Sequence, residues 1–183
     1  MSDNGLIEFT YRPKTDGKRI LPTVLVIAAL SAVLVVLSAT LPYYRGVVSL
    51  IAVIGICVSL YLAMRYIMSD FVYTVYTGGS ETPPLLLIYR RMGRRESLMC
   101  RVELAMLCEI KLVTKAQKNA HAPDPNAQKF NFCPNFSPDS YYVLIARGRE
   151  VNMELSLEIT PEVSERLLSY AEIARQMDAQ DEF

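Results

Sequence analysis

Arginine side chains cluster on both sides of a short turn in the segment YRRMGRRE. The four are Arg90, Arg91, Arg94 and Arg95. Guanidinium groups stay charged at physiological pH and bind phosphate and carboxylate oxygens. Facing an anionic membrane leaflet, each arginine would contribute about 1 kcal/mol, and less where salt screens the charge. The alternative is that the arginines only solubilise an exposed hairpin and deter pairing at a strand edge.

The cysteines and the single histidine do not form a recognisable reactive site. The chain carries Cys57, Cys100, Cys108 and Cys133 without a CxxC pair, and its one histidine is His121 in a Pro-rich stretch. Zinc sites need several such ligands at short, regular spacings. We therefore expect no metal, no cofactor and no cysteine nucleophile, and we interpret the cysteines as small apolar residues.

Carboxylates offer no better candidates for catalysis. Glu103, Glu109 and Asp139 are the best placed acids, but no base, metal cluster or phosphate-binding loop accompanies them in the sequence. A catalytic constellation requires such partners within reach of the acid. The sequence predicts that the protein is not an enzyme.

Two long apolar runs precede the arginines and predict that the chain is anchored in a membrane. From Ile20 to Tyr44 there are 25 consecutive uncharged residues, and from Gly46 to Met64 there are 19 more. Crossing a hydrocarbon core of about 30 Å takes roughly 20 apolar residues. We predict transmembrane helices over 20–42 and 46–68, because soluble core helices rarely reach this length and a signal peptide would be shorter.

Basic residues around these runs predict their orientation. Arg12, Lys14, Lys18 and Arg19 precede the first run, whereas the loop between the runs carries only Arg45. The positive-inside rule therefore predicts an integral protein of the cytoplasmic membrane with both termini in the cytoplasm.

A stripe of small residues lies along the second run. Gly55, Ser59 and Ala63 repeat at four-residue spacing, which allows another helix to approach closely. The stripe predicts helix packing, either of the hairpin on itself, which we favour, or between copies in a homo-oligomer.

Beyond Asp70 the apolar period changes from helical to the two-residue period of strands. We predict four divisions: an N-terminal cytoplasmic segment 1–19, the hairpin 20–69, a β domain 70–176 and an acidic tail 177–183. The alternation in and just after residues 96–103 places Leu98, Cys100, Val102 and Leu104 on one face. Seven strands are predicted over 71–77, 85–91, 96–103, 109–115, 130–133, 141–147 and 150–159, with residues 6–12 as a candidate for a further strand.

An amphipathic helix is predicted after Thr160, which is a good N-cap followed by Pro161. Seven strands followed by one such helix resemble a pleckstrin-homology-like (PH-like), partly open β-barrel. The fold class predicted is thus an α+β membrane protein. Over residues 20–175 the chain is similar to bacterial membrane proteins that place a PH-like domain directly after a two-helix anchor. The motifs that carry the resemblance are FVYTVYT, LLLIYRR-MG-RRESLMCRVEL and NMELSLEITPEVSERLLSY.

The resemblance implies a non-enzymatic, membrane-associated module used for interaction or scaffolding. Phosphoinositide-binding members of the wider superfamily use basic residues around the first strand–loop–strand unit, but here the loop 78–84 holds one acid and no base. We therefore do not expect inositol-phosphate binding at that loop. Because only Ser69 and Asp70 separate the hairpin from the first strand, the next strand should bring the arginine turn back towards the bilayer.

The expected partners follow from these patterns. The chain has 19 Lys+Arg and 19 Asp+Glu, whereas nucleic-acid binders carry a basic excess, so nucleic acid is not an expected partner. We expect the lipid bilayer, anionic lipid headgroups and an unidentified protein partner. The alternative function is a small homo-oligomeric transport or pore subunit, which the absence of any acid, Lys or His within the spans disfavours.

Overall fold

The computed structural model describes residues 6–40, 43–77, 83–117, 125–148 and 151–181. His121, Pro42, Arg149 and most of the predicted loop 78–84 lie outside these ranges. The chain forms two compact units. We name them the hairpin unit (Lys14–Asp70 with Pro134–Phe136) and the sheet unit (Met1–Pro13, Phe71–Cys133 and Ser137–Phe183).

Two long apolar helices form most of the hairpin unit. Helix α1 spans Gly17–Thr40 and helix α2 spans Arg45–Tyr66, and the two helices pack against each other. Each helix contains a 22-residue stretch that is apolar and long enough to cross a membrane. Within the most apolar 18 residues, only 17% in α1 and 11% in α2 are buried. A core helix of a soluble protein would be mostly buried. The prediction of two long apolar helices is confirmed, and their exposure is consistent with membrane insertion.

The hydroxyl groups of both helices bond to the backbone of their own helix. Ser31 donates to the Ile27 carbonyl at 2.8 Å, and Ser59 donates to the Ile56 carbonyl at 2.9 Å. Thr40 donates to the Leu37 carbonyl in the same way. Such local bonds satisfy polar groups that have no water to pair with in an apolar environment.

The sheet unit contains two four-stranded sheets. The first has the order β1-β2-β3-β4 and the second has the order β5-β7-β8-β6. A short 3-10 helix, Leu104–Met106, separates β4 from β5, where the chain leaves the first sheet for the second. The strands are β1 Leu6–Tyr11, β2 Ser69–Thr77, β3 Leu85–Met92, β4 Arg95–Glu103, β5 Leu107–Thr114, β6 Gln128–Asn131, β7 Ser140–Arg147 and β8 Asn152–Leu157.

This arrangement corrects the prediction of a seven-stranded, partly open barrel, since the described sheets do not close into one. The additional strand is β1, the candidate strand predicted within residues 6–12, and it pairs antiparallel with β2. Phe9 lies opposite Val75, and Tyr11 lies opposite Tyr73. The α1–α2 hairpin is therefore inserted in sequence between two neighbouring strands of one sheet.

Apolar residues from both sheets and from the last helix share one core. Alternate residues of β2, namely Phe71, Tyr73 and Val75, face this core, as alternation along a strand requires. Helix α3, Pro161–Asp181, adds Leu167, Ala171 and Ala174, which repeat at helical spacing. The predicted helix is present and extends beyond residue 176, so most of the predicted acidic tail is helical.

A bulge in β4 overturns the predicted face of Leu98. Ile88 of β3 lies opposite Cys100, but the next residue, Tyr89, lies opposite Leu98, so Met99 is an extra residue in β4. An extra residue reverses the alternation of side chains beyond it. Leu98 is therefore 52% exposed and does not share the core face of Cys100 and Val102.

Candidate functional site: the arginine turn and a pocket on the first sheet

The arginine turn connects β3 to β4. Met92 pairs with Arg95, which leaves Gly93 and Arg94 as the two turn residues. Gly93 has φ of +60°, a conformation that glycine adopts without the steric cost of a Cβ atom, and Arg94 has negative φ. These values match a type II′ turn, the geometry that suits the twist of a two-residue hairpin.

The four arginines differ in how exposed they are and in what they contact. Arg94 and Arg95 are exposed, and neither side chain forms a hydrogen bond or ion pair with another described residue. Arg90 and Arg91 are partly buried. The Nε of Arg91 donates to the Gly93 carbonyl at 3.2 Å and lies 3.8 Å from a carboxylate oxygen of Glu96. Two arginines are thus available to an external anion, while Arg91 is already engaged.

The arginine turn lies at the end of the first sheet where β2 begins. β2 and β3 are neighbours, and the seven residues between them are too few for a parallel crossover, so the two strands are antiparallel. The last residues of β3 therefore lie beside the first residues of β2. β1 ends opposite Tyr73, at the middle of β2.

A pocket of about 580 Å³ lies on the face of the first sheet that points away from the core. Ligand pockets usually measure about 300–1,000 Å³. All four strands contribute, because alternate residues point to this outer face: Thr10 pairs with Thr74, and Leu87 pairs with Arg101. We name this cavity the outer-face pocket.

The lining of the outer-face pocket combines apolar, hydroxyl and charged side chains. Val72, Leu85 and Leu87 supply apolar surface, together with the displaced Leu98. The hydroxyl-bearing residues are Thr10, Thr74, Tyr76 and Tyr89, and the charged residues are Arg12, Glu96 and Arg101. Such a lining can hold an apolar body and orient a polar group attached to it.

The sequence alone did not predict this pocket, although the residues of β2 carry a signal for it. Val72 and Thr74 are buried despite pointing away from the core, so β2 is buried on both faces. A strand buried on one face would expose its alternate residues. The mixed sequence FVYTVYT has apolar or aromatic residues on both faces, which could have indicated a second buried surface.

Tyr73 occupies the core face of β2 and is hydrogen-bonded there. Its hydroxyl donates to the Phe132 carbonyl at 3.0 Å. Burial raises the Tyr73 pKa well above the usual tyrosine value and the nearby Cys133 raises it further, whereas a backbone hydrogen bond at Glu158 offsets part of the rise. Burial and Glu158 also raise the pKa of Tyr11, whose ring is stacked on Tyr73.

Tyr73→Phe is expected to lower the free energy of unfolding at pH 7 by about 1–3 kcal/mol, because the Phe132 carbonyl loses its buried donor. The folded-state pKa lies above the unfolded value of about 10, so stability is retained below pH 10 and lost as pH rises through the folded value. The wild-type protein should therefore lose more stability than Tyr73→Phe above pH 10. Chemical unfolding of both proteins in detergent, followed by circular dichroism, measures this difference.

The exposed Tyr43 provides the control, since 96% of its surface is accessible. Tyr43→Phe should unfold like the wild type at both pH values. Coincident curves for the wild type and Tyr73→Phe at pH 7 and above pH 10 would show that the buried hydroxyl does not matter.

The predicted small-residue stripe lies on α2 within the hairpin unit. A Cβ atom at Gly55 would meet the Ser31 hydroxyl of α1, and Ser59 is buried on the same side. Ala63 is partly buried. Gly55 therefore permits a close approach of α1 and α2.

The candidate acids are not brought together. Glu109 lies 2.9 Å from the amine of Lys111, and Asp139 lies 3.9 Å from the amine of Lys115, both as exposed ion pairs. Glu109 pairs with Ile145 near one end of the β5–β7 ladder, whereas Asp139 adjoins the other end. Among the described residues no group of three His, Cys, Asp or Glu side chains could hold a metal ion, and all four cysteines are free.

Asn135 is a structural residue that the sequence did not indicate. Within the hairpin unit its amide oxygen accepts from the Asp16 backbone at 2.7 Å, and its amide nitrogen donates to the Lys14 carbonyl at 3.0 Å. The ring of Phe136 packs edge-on against Tyr66 at 5.3 Å. The segment 134–136 thus contacts both the residues that precede α1 and the last residue of α2.

Comparison with known proteins identified no relative of this chain. The chain matches no protein-family model, and neither the curated proteins nor the solved structures searched give a significant match.

Proposed function

We propose that this protein is a membrane-anchored, non-enzymatic interaction module whose PH-like domain is held at the cytoplasmic face of the membrane. The observation that carries the proposal is the pairing of β1 with β2. These strands flank the α1–α2 hairpin in sequence, so their pairing requires both ends of the hairpin to emerge on one side of the membrane. The basic residues before α1 favour the cytoplasmic side.

The two sheets, the shared core and the C-terminal helix support the PH-like assignment. In this fold a helix covers one end of two packed sheets, and here Leu167 and Ala171 of α3 enter the common core. The Arg175 guanidinium also donates to the Leu107 carbonyl at the start of β5. A packed scaffold of this kind is suited to binding a protein partner. Co-purification with the tagged full-length protein would identify that partner.

The arginine turn is proposed to contact anionic lipid headgroups. Only Ile67 and Met68 separate the end of α2 from the start of β2, so covalent length keeps these ends within about 10 Å. The turn lies at that same end of the first sheet. Arg94 and Arg95 carry charges that are not neutralised by described neighbours, and an anionic surface would neutralise them.

Replacing Arg90, Arg91, Arg94 and Arg95 together with glutamine is expected to move the turn away from an anionic bilayer. The chain has no tryptophan, so Met92→Trp provides a single fluorescent reporter beside the turn. In nanodiscs with brominated anionic lipid, quenching of this reporter should be strong with the four arginines and at least halved without them. Full-length protein is needed because β1 belongs to the sheet unit.

A matched variant tests whether the quenching depends on where the positive charges lie or only on how many there are. Lys111, Lys115, Lys129 and Arg147 lie on or beside the second sheet, and their replacement by glutamine removes the same charge. This variant should keep the quenching. Equal quenching in zwitterionic and anionic nanodiscs, or equal loss in both variants, would rule out headgroup binding by the turn.

A further inference from the structure

The outer-face pocket has positive charge on two of its sides. Arg12 follows the end of β1, and Arg101 lies on β4, so the two guanidinium groups come from opposite edge strands of the first sheet. Neither guanidinium group forms a hydrogen bond or ion pair with another described residue. Both residues are exposed at the pocket.

The single acid of the pocket does not offset both arginines. Glu96 is already within 3.8 Å of the Arg91 Nε, outside the pocket lining. The lining therefore carries a net positive charge beside the apolar side chains of Val72, Leu85 and Leu87. Arginine recognises carboxylate, sulfate and phosphate groups through paired hydrogen bonds, whereas apolar surface favours an alkyl or aromatic body.

We propose that the outer-face pocket binds a single-chain amphiphile with an anionic head group. The alkyl chain lies on Val72, Leu85 and Leu87, and Arg12 and Arg101 attract the head group. The threonine pair adds hydroxyls to this surface, since the Oγ1 atoms of Thr10 and Thr74 lie 3.4 Å apart. The site is separate from the proposed headgroup contact, because none of the four turn arginines lines the pocket.

The test uses full-length protein in zwitterionic nanodiscs and three ten-carbon probes that differ in charge. These are decyl sulfate, decanol and decyltrimethylammonium. Leu98→Trp reports on the pocket because Leu98 lines it and is half-exposed. Decyl sulfate should change the reporter's fluorescence saturably, with an affinity about tenfold above that of decanol and further above that of the cation.

Two arginine variants test the assignment of the head-group site. Arg12→Gln and Arg101→Gln should each weaken decyl sulfate binding about three- to tenfold and leave decanol unchanged, since a partly exposed ionic contact is worth about 1 kcal/mol. Lys129→Gln removes an exposed charge from β6 and should leave both affinities unchanged. Because all three side chains are exposed, the variants should fold.

A second reporter detects simple partitioning of the probes into lipid or detergent. Leu112→Trp places the fluorophore on β5, at a residue 49% exposed and outside the pocket. A saturable response at Leu98→Trp alone supports the site. Equal responses of both reporters, equal affinities for the three probes, or unchanged binding in both arginine variants would each overturn it. The turn arginines remain intact throughout, so this result is independent of headgroup contact.

Discussion

Replacing Leu144 with alanine is expected to lower the free energy of unfolding by about 2–5 kcal/mol, one of the largest effects available in this chain. Leu144 is fully buried on β7. It lies opposite Ile110 of β5 on one side and Leu155 of β8 on the other, so three apolar side chains form a row across the second sheet. Removing the middle one leaves a cavity that its strand-bound neighbours cannot fill.

The same substitution on the neighbouring strand provides the control. Leu112 of β5 is 49% exposed, and Leu112→Ala should cost less than about 1 kcal/mol. Urea unfolding of the full-length variants in one detergent, followed by circular dichroism, compares them directly. Similar midpoints for Leu144→Ala and Leu112→Ala would contradict the position of Leu144 at the centre of the core.

Gly55→Leu is expected to separate the two helices of the hairpin unit. The Cβ atom alone would meet the Ser31 hydroxyl, and four added carbons cannot fit without movement of α1. Overpacking of this kind costs about 1–3 kcal/mol. Spin labels at Leu21 and Met64, both exposed, should show a longer and broader distance distribution in the variant.

Ala32→Leu is the matched enlargement, because Ala32 adjoins Ser31 in sequence but is exposed. It should leave the distance distribution unchanged. The same samples also test the homo-oligomer alternative. If Gly55→Leu dissociates an oligomer while the distance within each hairpin stays constant, the stripe packs between copies and the internal contact is not its role.

The elements most accessible from sequence are those with a long, regular pattern. The apolar runs of α1 and α2 exceed a membrane thickness, and the alternation from Tyr141 to Leu157 is regular enough to place β7 and β8 within two residues. The turn at Gly93 was equally accessible, because a glycine between two apolar, arginine-bearing strands is a strong hairpin signal.

Long-range pairings were not accessible, because sequence alternation does not specify a partner. β1 was a candidate strand, but nothing in LIEFTY indicates that it pairs with β2 across the helical hairpin. The parallel pairing of β6 with β8 is similar, since four residues carry little pattern. The bulge at Met99 could not be predicted either. A bulge is recognised only from the pairing of a strand with its partner, and the sequence of β4 alone does not specify that pairing.

The same distinction between local and long-range features applies to the candidate site. The arginine turn is local in sequence, so its residues were found, although the ion pair from Arg91 to Glu96 was not. The outer-face pocket depends on four strands brought side by side, and Arg12 and Arg101 are separated in sequence by both helices of the hairpin and by β2 and β3. Its position emerges only once the strand order and register are known.

The insertion of α1 and α2 between β1 and β2 imposes an order on biosynthesis. β1 leaves the ribosome first, but its partner follows only after both helices have been made, several seconds later at 5–20 residues per second. Until then β1 has no neighbour in the sheet, and Phe9 and Tyr11 lack the core against which they pack. Synthesis of both helices thus becomes a prerequisite for completing the first sheet. A chain whose helices do not bring β1 back beside β2 keeps an open edge at β2, and an open strand edge can pair with another chain.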